Sequence, residues 1–170
     1  SFNVVIPASW GATRFPGKVL AQLAGRSVLA RVHDAAVASG ADQVIVATDD
    51  VRVQAHALDH GFDVHLTSET HTSGTERIAE VARVRGFGPD VALVNLQGDA
   101  PLMDPTTVRL VGFRVWNPAH DVHTASVPLA PGDAEDPNVV KVQSQEGRAR
   151  AFARHPLPAA RRHLGIYGFR

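Results

Sequence analysis

The chain of 170 residues contains no cysteine. That excludes disulfides, zinc fingers, iron–sulfur clusters and thiol nucleophiles. It has only two lysines, Lys18 and Lys141, and the other fifteen cations are arginines, so the position of each lysine is informative. Seventeen basic residues balance seventeen acidic ones. A neutral chain does not bind nucleic acid through a bulk positive field. No apolar run approaches the roughly 18 residues of a membrane span. The opening SFNVVIP has neither a basic region nor a cleavage site, so no signal peptide is expected. With the missing cysteines, this points to the cytoplasm. What is present is ordinary for a folded soluble protein: 44% hydrophobic and 20% charged residues. The length suits one domain with its own core.

Hydrophobic periodicity supplies the elements. Phe2–Ile6 reads as a buried strand, Ser27–Ser39 as a helix stopped by Gly40, and Gln43–Ala47 as a second buried strand. Asp50–His60 reads as a helix and Asp63–Leu66 as a short strand. Gly74–Arg85 is helical, Asp90–Leu96 is the most apolar strand, and Asp104 caps a helix running to about Trp116 with Pro105 at its first position. After His120 the pattern changes to short extended runs, HTASVPL, NVVKVQ and ARAFAR. Strand–helix alternation predicts an α/β fold, a mostly parallel sheet with helices on both faces. Such sheets bind ligands at the carboxyl ends of their strands. Three polar loops occupy that position, at Pro7–Lys18, Thr48–Asp50 and Gln97–Pro101, and should converge on one cleft.

The first loop, PASWGATRFPGKVL, brings glycines, small residues and the cations Arg14 and Lys18. It reads either as a cradle for a triphosphate or as a solvated loop with two surface charges. It is neither a P-loop nor a G-x-G-x-x-G fingerprint. In VNLQGDAP, Asp99 beside Gly98 is either a turn residue or a lone carboxylate suited to Mg²⁺, which keeps waters and shares phosphate oxygens. In HTSGTERIAE, the small polar residues around Ser73 and Gly74 either meet a nucleobase or cap the helix, since Ser73 and Glu76 fit S-x-x-E. His56 and His60 share a helix face but lack the glutamate of H-E-x-x-H and a third ligand, and read as a solvated face.

Taken together, the chain resembles the CMP-KDO synthetases, cytidylyltransferases that activate 3-deoxy-manno-octulosonate (KDO). The resemblance is carried by Val5-Ile-Pro-Ala8, Thr13-Arg14 with Pro16-Gly17-Lys18, Ile45-Val-Ala-Thr-Asp49, His71 with Ser73-Gly-Thr-Glu-Arg77, and Val94-Asn95 with Gln97-Gly98-Asp99. It continues through Asn138 with Val140-Lys141-Val142 and His163-Leu-Gly-Ile-Tyr-Gly168. It implies a Rossmann-like nucleotidyltransferase fold. The implied reaction is CTP + KDO → CMP-KDO + pyrophosphate, in lipopolysaccharide synthesis. Arg14, Lys18 and Asp99 are then the catalytic set, with Arg14 and Lys18 on the triphosphate and Asp99 on Mg²⁺. Pro7, Ala8, Ser73 and Gly74 line the nucleotide site. Gln97, Arg154, His163 and Tyr167 are candidates for the sugar acid. A homodimer is implied as well.

The chain departs from the family pattern at Ser9, Ala12, Ser68, Thr72 and Ala100, and the segment between Pro158 and His163 is short. The family pattern also runs on past the position of Arg170, so the C-terminal part of that domain, with a second metal-binding aspartate and much of the dimer contact, is expected to be absent. Two alternatives remain: a non-catalytic CTP-binding remnant of the fold, or a nucleotidyltransferase for another sugar.

Overall fold

A computed structural model describes residues 1–11 and 15–170. Arg14, one of the two cations of the first loop, therefore lies outside the described residues. The chain divides into one unit of residues 1–123 and 166–170 and a second of residues 124–165.

In the first unit, β1 (Asn3–Pro7) leads to a single 3₁₀ turn at Lys18–Leu20 and a two-residue hairpin, β2 (Gln22–Leu23) and β3 (Arg26–Ser27). Then follow α1 (Val28–Ala38), β4 (Val44–Thr48), α2 (Val51–Asp59), β5 (Asp63–Leu66), α3 (Gly74–Val84), β6 (Leu93–Asn95) and α4 (Pro105–Arg114). The helix starts are fixed by side-chain caps: Ser27, Asp50, Ser73 and Asp104 each accept a backbone N–H two or three residues ahead. The expected elements are present, with boundaries shifted by a residue or two. The largest difference is β6, which has only three residues because Asp90–Ala92 is taken up in turn and loop.

Strand order is β5-β4-β1-β6, all parallel, with Val5 opposite Ile45 on one side and Asn95 on the other. One strand that periodicity does not predict completes this sheet. β10 (Arg161–Phe169) lays its last residues antiparallel to β6, with Tyr167 opposite Asn95.

Alternation along β1 separates the two faces. Val5 packs with Ile45, Ala47 and Leu93 against Ile78 and Val81 of α3. Phe2, of the opposite parity, meets Phe113 edge-on and fits beneath Gly112 of α4, which also packs on α1. Helices therefore cover both faces, as expected.

The second unit holds β7 (Val122–Val127, whose first two residues belong to the first unit), β8 (Lys141–Gln145), β9 (Arg148–Ala153) and the first half of β10. β8 and β9 form a hairpin, and Arg161 and Arg162 of β10 pair with Val142 and Lys141. Lys141 is fully buried, and its ammonium donates to the carbonyls of Asp136 (2.6 Å) and Arg154 (2.7 Å). An unpaired buried ammonium is costly, so these carbonyls explain how the lysine is accommodated.

Candidate active site

In the first unit a cleft of about 290 Å³ opens at the carboxyl ends of the parallel strands. Pro7, Ala8, Ser9 and Gly11 reach it from the loop after β1, and Asp49 from the end of β4. His71, Thr72, Ser73 and Gly74 precede α3, Arg77 comes from its first turns, and Gln97 follows β6. The three loops expected to converge do contribute to this one cleft. Of the residues assigned to nucleotide binding, Pro7, Ala8, Ser73 and Gly74 line it together, and so does Gln97.

The strand ends are held at close range. Gly98 donates to the Pro7 carbonyl (3.0 Å), and a β-carbon there would stand 3.0 Å from both the Pro7 oxygen and the Ala8 β-carbon. Any side chain at 98 would push β1 and the Gln97–Asp99 loop apart. Gln97 is oriented by donating from Nε2 to Asn95 Oδ1 (2.8 Å). Lys18 and Asp99 come together, Nζ to Oδ2 3.5 Å, both about half exposed. The loop delivering Lys18 is closed by Gly17, whose N–H donates to the Trp10 carbonyl (2.8 Å) and whose φ is +71°. A β-carbon at Gly17 would collide with the Trp10 ring at 2.7 Å. On Trp10 lies the Arg52 guanidinium, 3.6 Å from the ring centroid, a cation–π contact linking α2 to this loop.

Ser73 is a helix cap. Its hydroxyl accepts from Glu76 N–H (3.2 Å), while Glu76 accepts from the N–H groups of Ser73 (3.2 Å) and Thr72 (2.7 Å) and from the Thr72 hydroxyl (3.2 Å). These donors, the Thr72 N–H foremost, hold the Glu76 carboxyl below its ordinary range. The capping box and the cleft wall draw on the same short segment, so the two roles weighed for Ser73 are compatible.

Two clusters have no signature in the sequence pattern. Arg77 is buried, with its guanidinium donating to Thr67 Oγ1 and to Asp49 Oδ2 (2.9 Å), which joins α3 to the end of β4. His71 Nε2 donates to Glu80 Oε2 (2.5 Å), which also accepts from Ser68 N–H (3.0 Å), while His65 Nε2 lies 3.5 Å from Oε1. The Ser68 N–H and then His71 hold the Glu80 carboxyl below its ordinary range. Asp49, His71 and Arg77 each belong to the family motifs, yet nothing in their spacing announces the contacts.

The remaining sugar-acid candidates fall in different places. Tyr167 belongs to the first unit, in register with Asn95. Arg154 and His163 belong to the second. There Arg154 donates to the Pro137 carbonyl (3.1 Å), and His163 Nε2 is 2.8 Å from Thr124 Oγ1, with its ring edge-on to Phe152. Burial pushes the His163 imidazole below its ordinary pKa. Among the described residues no three histidine, aspartate or glutamate side chains cluster to hold a metal ion. Asp99 is a single carboxylate, and that donor set fits a Mg²⁺ that keeps its waters and borrows phosphate oxygens.

Residues 3–170 match the family described as Cytidylyltransferase. The chain belongs to this family. All of it aligns with the 3-deoxy-manno-octulosonate cytidylyltransferase of Aeromonas hydrophila, at 45% identity over 193 residues and across 76% of that protein. The enzyme of the same name from Nitrosococcus oceani is 38% identical, again over the whole chain and 74% of its own length. The chain thus spans about three quarters of these cytidylyltransferases. In three dimensions it matches CMP:2-keto-3-deoxy-manno-octonic acid synthetase complexed with CTP, with a TM-score of 0.88 at 32% identity, over the whole chain and 74% of that protein. A cytidylyltransferase from Leptospira borgpetersenii, at 21% identity and a TM-score of 0.63 over 75% of this chain and 56% of its own, shares the fold.

Proposed function

We propose that this cytidylyltransferase transfers the cytidylyl group of CTP to 3-deoxy-manno-octulosonate, giving the CMP-sugar and pyrophosphate. The observation that carries the reading is the match along the entire chain to a synthetase complexed with CTP, joined to a cleft at the strand ends lined by the matching motifs. In the reaction the anomeric hydroxyl of the sugar acid attacks the α-phosphorus and pyrophosphate leaves. Such a transfer asks the protein mainly to position reactants and neutralise charge. Pro7, Ala8, Ser73 and Gly74 wall the base and ribose. Lys18, with Arg14, holds the triphosphate. Asp99 would hold Mg²⁺, whose chemistry when bound is to neutralise phosphate oxygens on the attacked and leaving groups. Gln97 and Tyr167 serve the sugar acid from the first unit, while the roles of Arg154 and His163 rest on the family resemblance alone. A homodimer and a cytoplasmic location belong to the same proposal; among the described residues no helix is long and apolar enough to cross a membrane.

The test is pyrophosphate release from CTP with and without the sugar acid, in the parent and in Asp99→Asn. Release that requires the sugar acid and collapses in the variant is expected. CTP binding without release would favour the non-catalytic reading, and release with a different sugar the other-transferase reading. Sedimentation at several concentrations checks the dimer.

A further inference from the structure

We propose that His71, held in one tautomer by Glu80, is the residue by which this site tells cytosine from uracil. The inference rests on the reading that the cleft takes a pyrimidine nucleotide. Glu80 projects from α3, where its Oε2 accepts from His71 Nε2 at 2.5 Å and from Ser68 N–H at 3.0 Å. An ionised carboxylate only accepts hydrogen bonds, and its donors keep this one ionised at neutral pH. The imidazole proton therefore sits on Nε2. In the neutral ring the other nitrogen, Nδ1, is then an acceptor. Among the described residues Nδ1 has no hydrogen-bond partner, and His71 forms part of the cleft wall.

The adjoining residues sharpen the point. The Thr72 N–H, the Thr72 hydroxyl and the Ser73 N–H all donate to Glu76. Three donors otherwise available to a base are thereby taken up by the helix cap. At C4 cytosine carries an amino donor and uracil a carbonyl acceptor. An Nδ1 acceptor pairs with the first and opposes the second lone pair to lone pair. Glu80 is thus a positioning residue, acting on the base through His71. Among the described residues, the charged or titratable groups that line the same two clefts as His71 or pair with Glu80 also include Glu76, Asp49, Arg77, Arg83 and His65.

The test is kcat/KM for CTP and for UTP, with the sugar acid present, in the full chain. The parent is expected to favour CTP by more than about ten-fold. Glu80→Gln offers Nε2 an amide donor and so allows the proton to move to Nδ1. The CTP/UTP ratio should fall about ten-fold, through KM more than kcat, and ¹⁵N chemical shifts of His71 should report the changed tautomer. His71→Phe, which has no ring nitrogen, should lose the preference as well and keeps the test open if Glu80→Gln disturbs the Ser68 loop. CTP turnover with an unchanged ratio in both variants overturns the inference and leaves the proposed function standing. Equal use of CTP and UTP by the parent overturns it too. Absence of CTP turnover in the parent overturns both.

Discussion

Arg77 offers the most decisive perturbation of the site's framework. Its side chain is 6% exposed and that of Asp49 24%, and the guanidinium bridges Asp49 and Thr67. Arg77→Met keeps most of the apolar stem and removes the charge and both hydrogen bonds. Breaking a fully buried ion pair from one side costs about 3–5 kcal/mol. Water reaching Asp49 brings that down to about 2–3 kcal/mol, and the lost bond to the Thr67 hydroxyl adds about 1 kcal/mol. The expected loss is about 3–4 kcal/mol, or a melting point lower by roughly 6–16 °C for a chain of this size. Urea unfolding followed by tryptophan fluorescence reads the right region, because Trp10 and Trp116 both lie in the first unit. A cycle with Asp49→Asn should return a coupling of about 1–3 kcal/mol. If Arg77→Met unfolds within about 1 kcal/mol of the parent, or the cycle shows no coupling, the pair does not hold α3 to β4.

The two lysines should separate function from stability. Lys18→Ala should weaken CTP binding by about 1.5–3 kcal/mol in calorimetry with little change in unfolding, since a charge-assisted phosphate contact is lost from an exposed side chain. Lys141→Ala should instead destabilise the fold, because it empties a buried site and strands two carbonyls, and equal CTP affinities for the two variants would contradict the phosphate role of Lys18. Gly98→Ala should cost about 1–3 kcal/mol and weaken CTP binding, while Gly88→Ala, where a β-carbon meets nothing within 4 Å, serves as a silent control in the same denaturation series. His33 stacks on Phe62 at 3.7 Å, and burial holds its imidazole below the ordinary histidine pKa. The unfolded chain then binds more protons, so stability is full above the ordinary value of about 6.5 and declines as the pH falls toward the folded pKa. His33→Phe should flatten that decline in unfolding measured from about pH 8 to about pH 5, and an unchanged slope would argue against it.

Helices and most strands are legible because their signals are local. Ser27, Asp50, Ser73 and Asp104 cap the helices they precede, and apolar runs such as VIVA become β4. β10 does not read as a strand because its residues, RRHLGIYGF, lack a clean alternation. Its pairing with β6 depends on a partner more than 65 residues away in the chain. The same holds for β6, whose three paired residues are fewer than its apolar run suggests.

The resemblance of its motifs pointed to the family, and strand–helix alternation to the doubly covered parallel sheet and the end of it where the cleft opens. Each follows from residues close together in sequence or from a rule of strand–helix connection. Only the tertiary structure decided how the motif residues are used. Glu80 accepts a hydrogen bond from His71, and Arg77 holds Asp49. The reason is physical: ion pairs and tautomers depend on distances of about 3 Å between side chains from separate elements. No spacing along a single chain encodes those distances until the sheet brings its strand ends together.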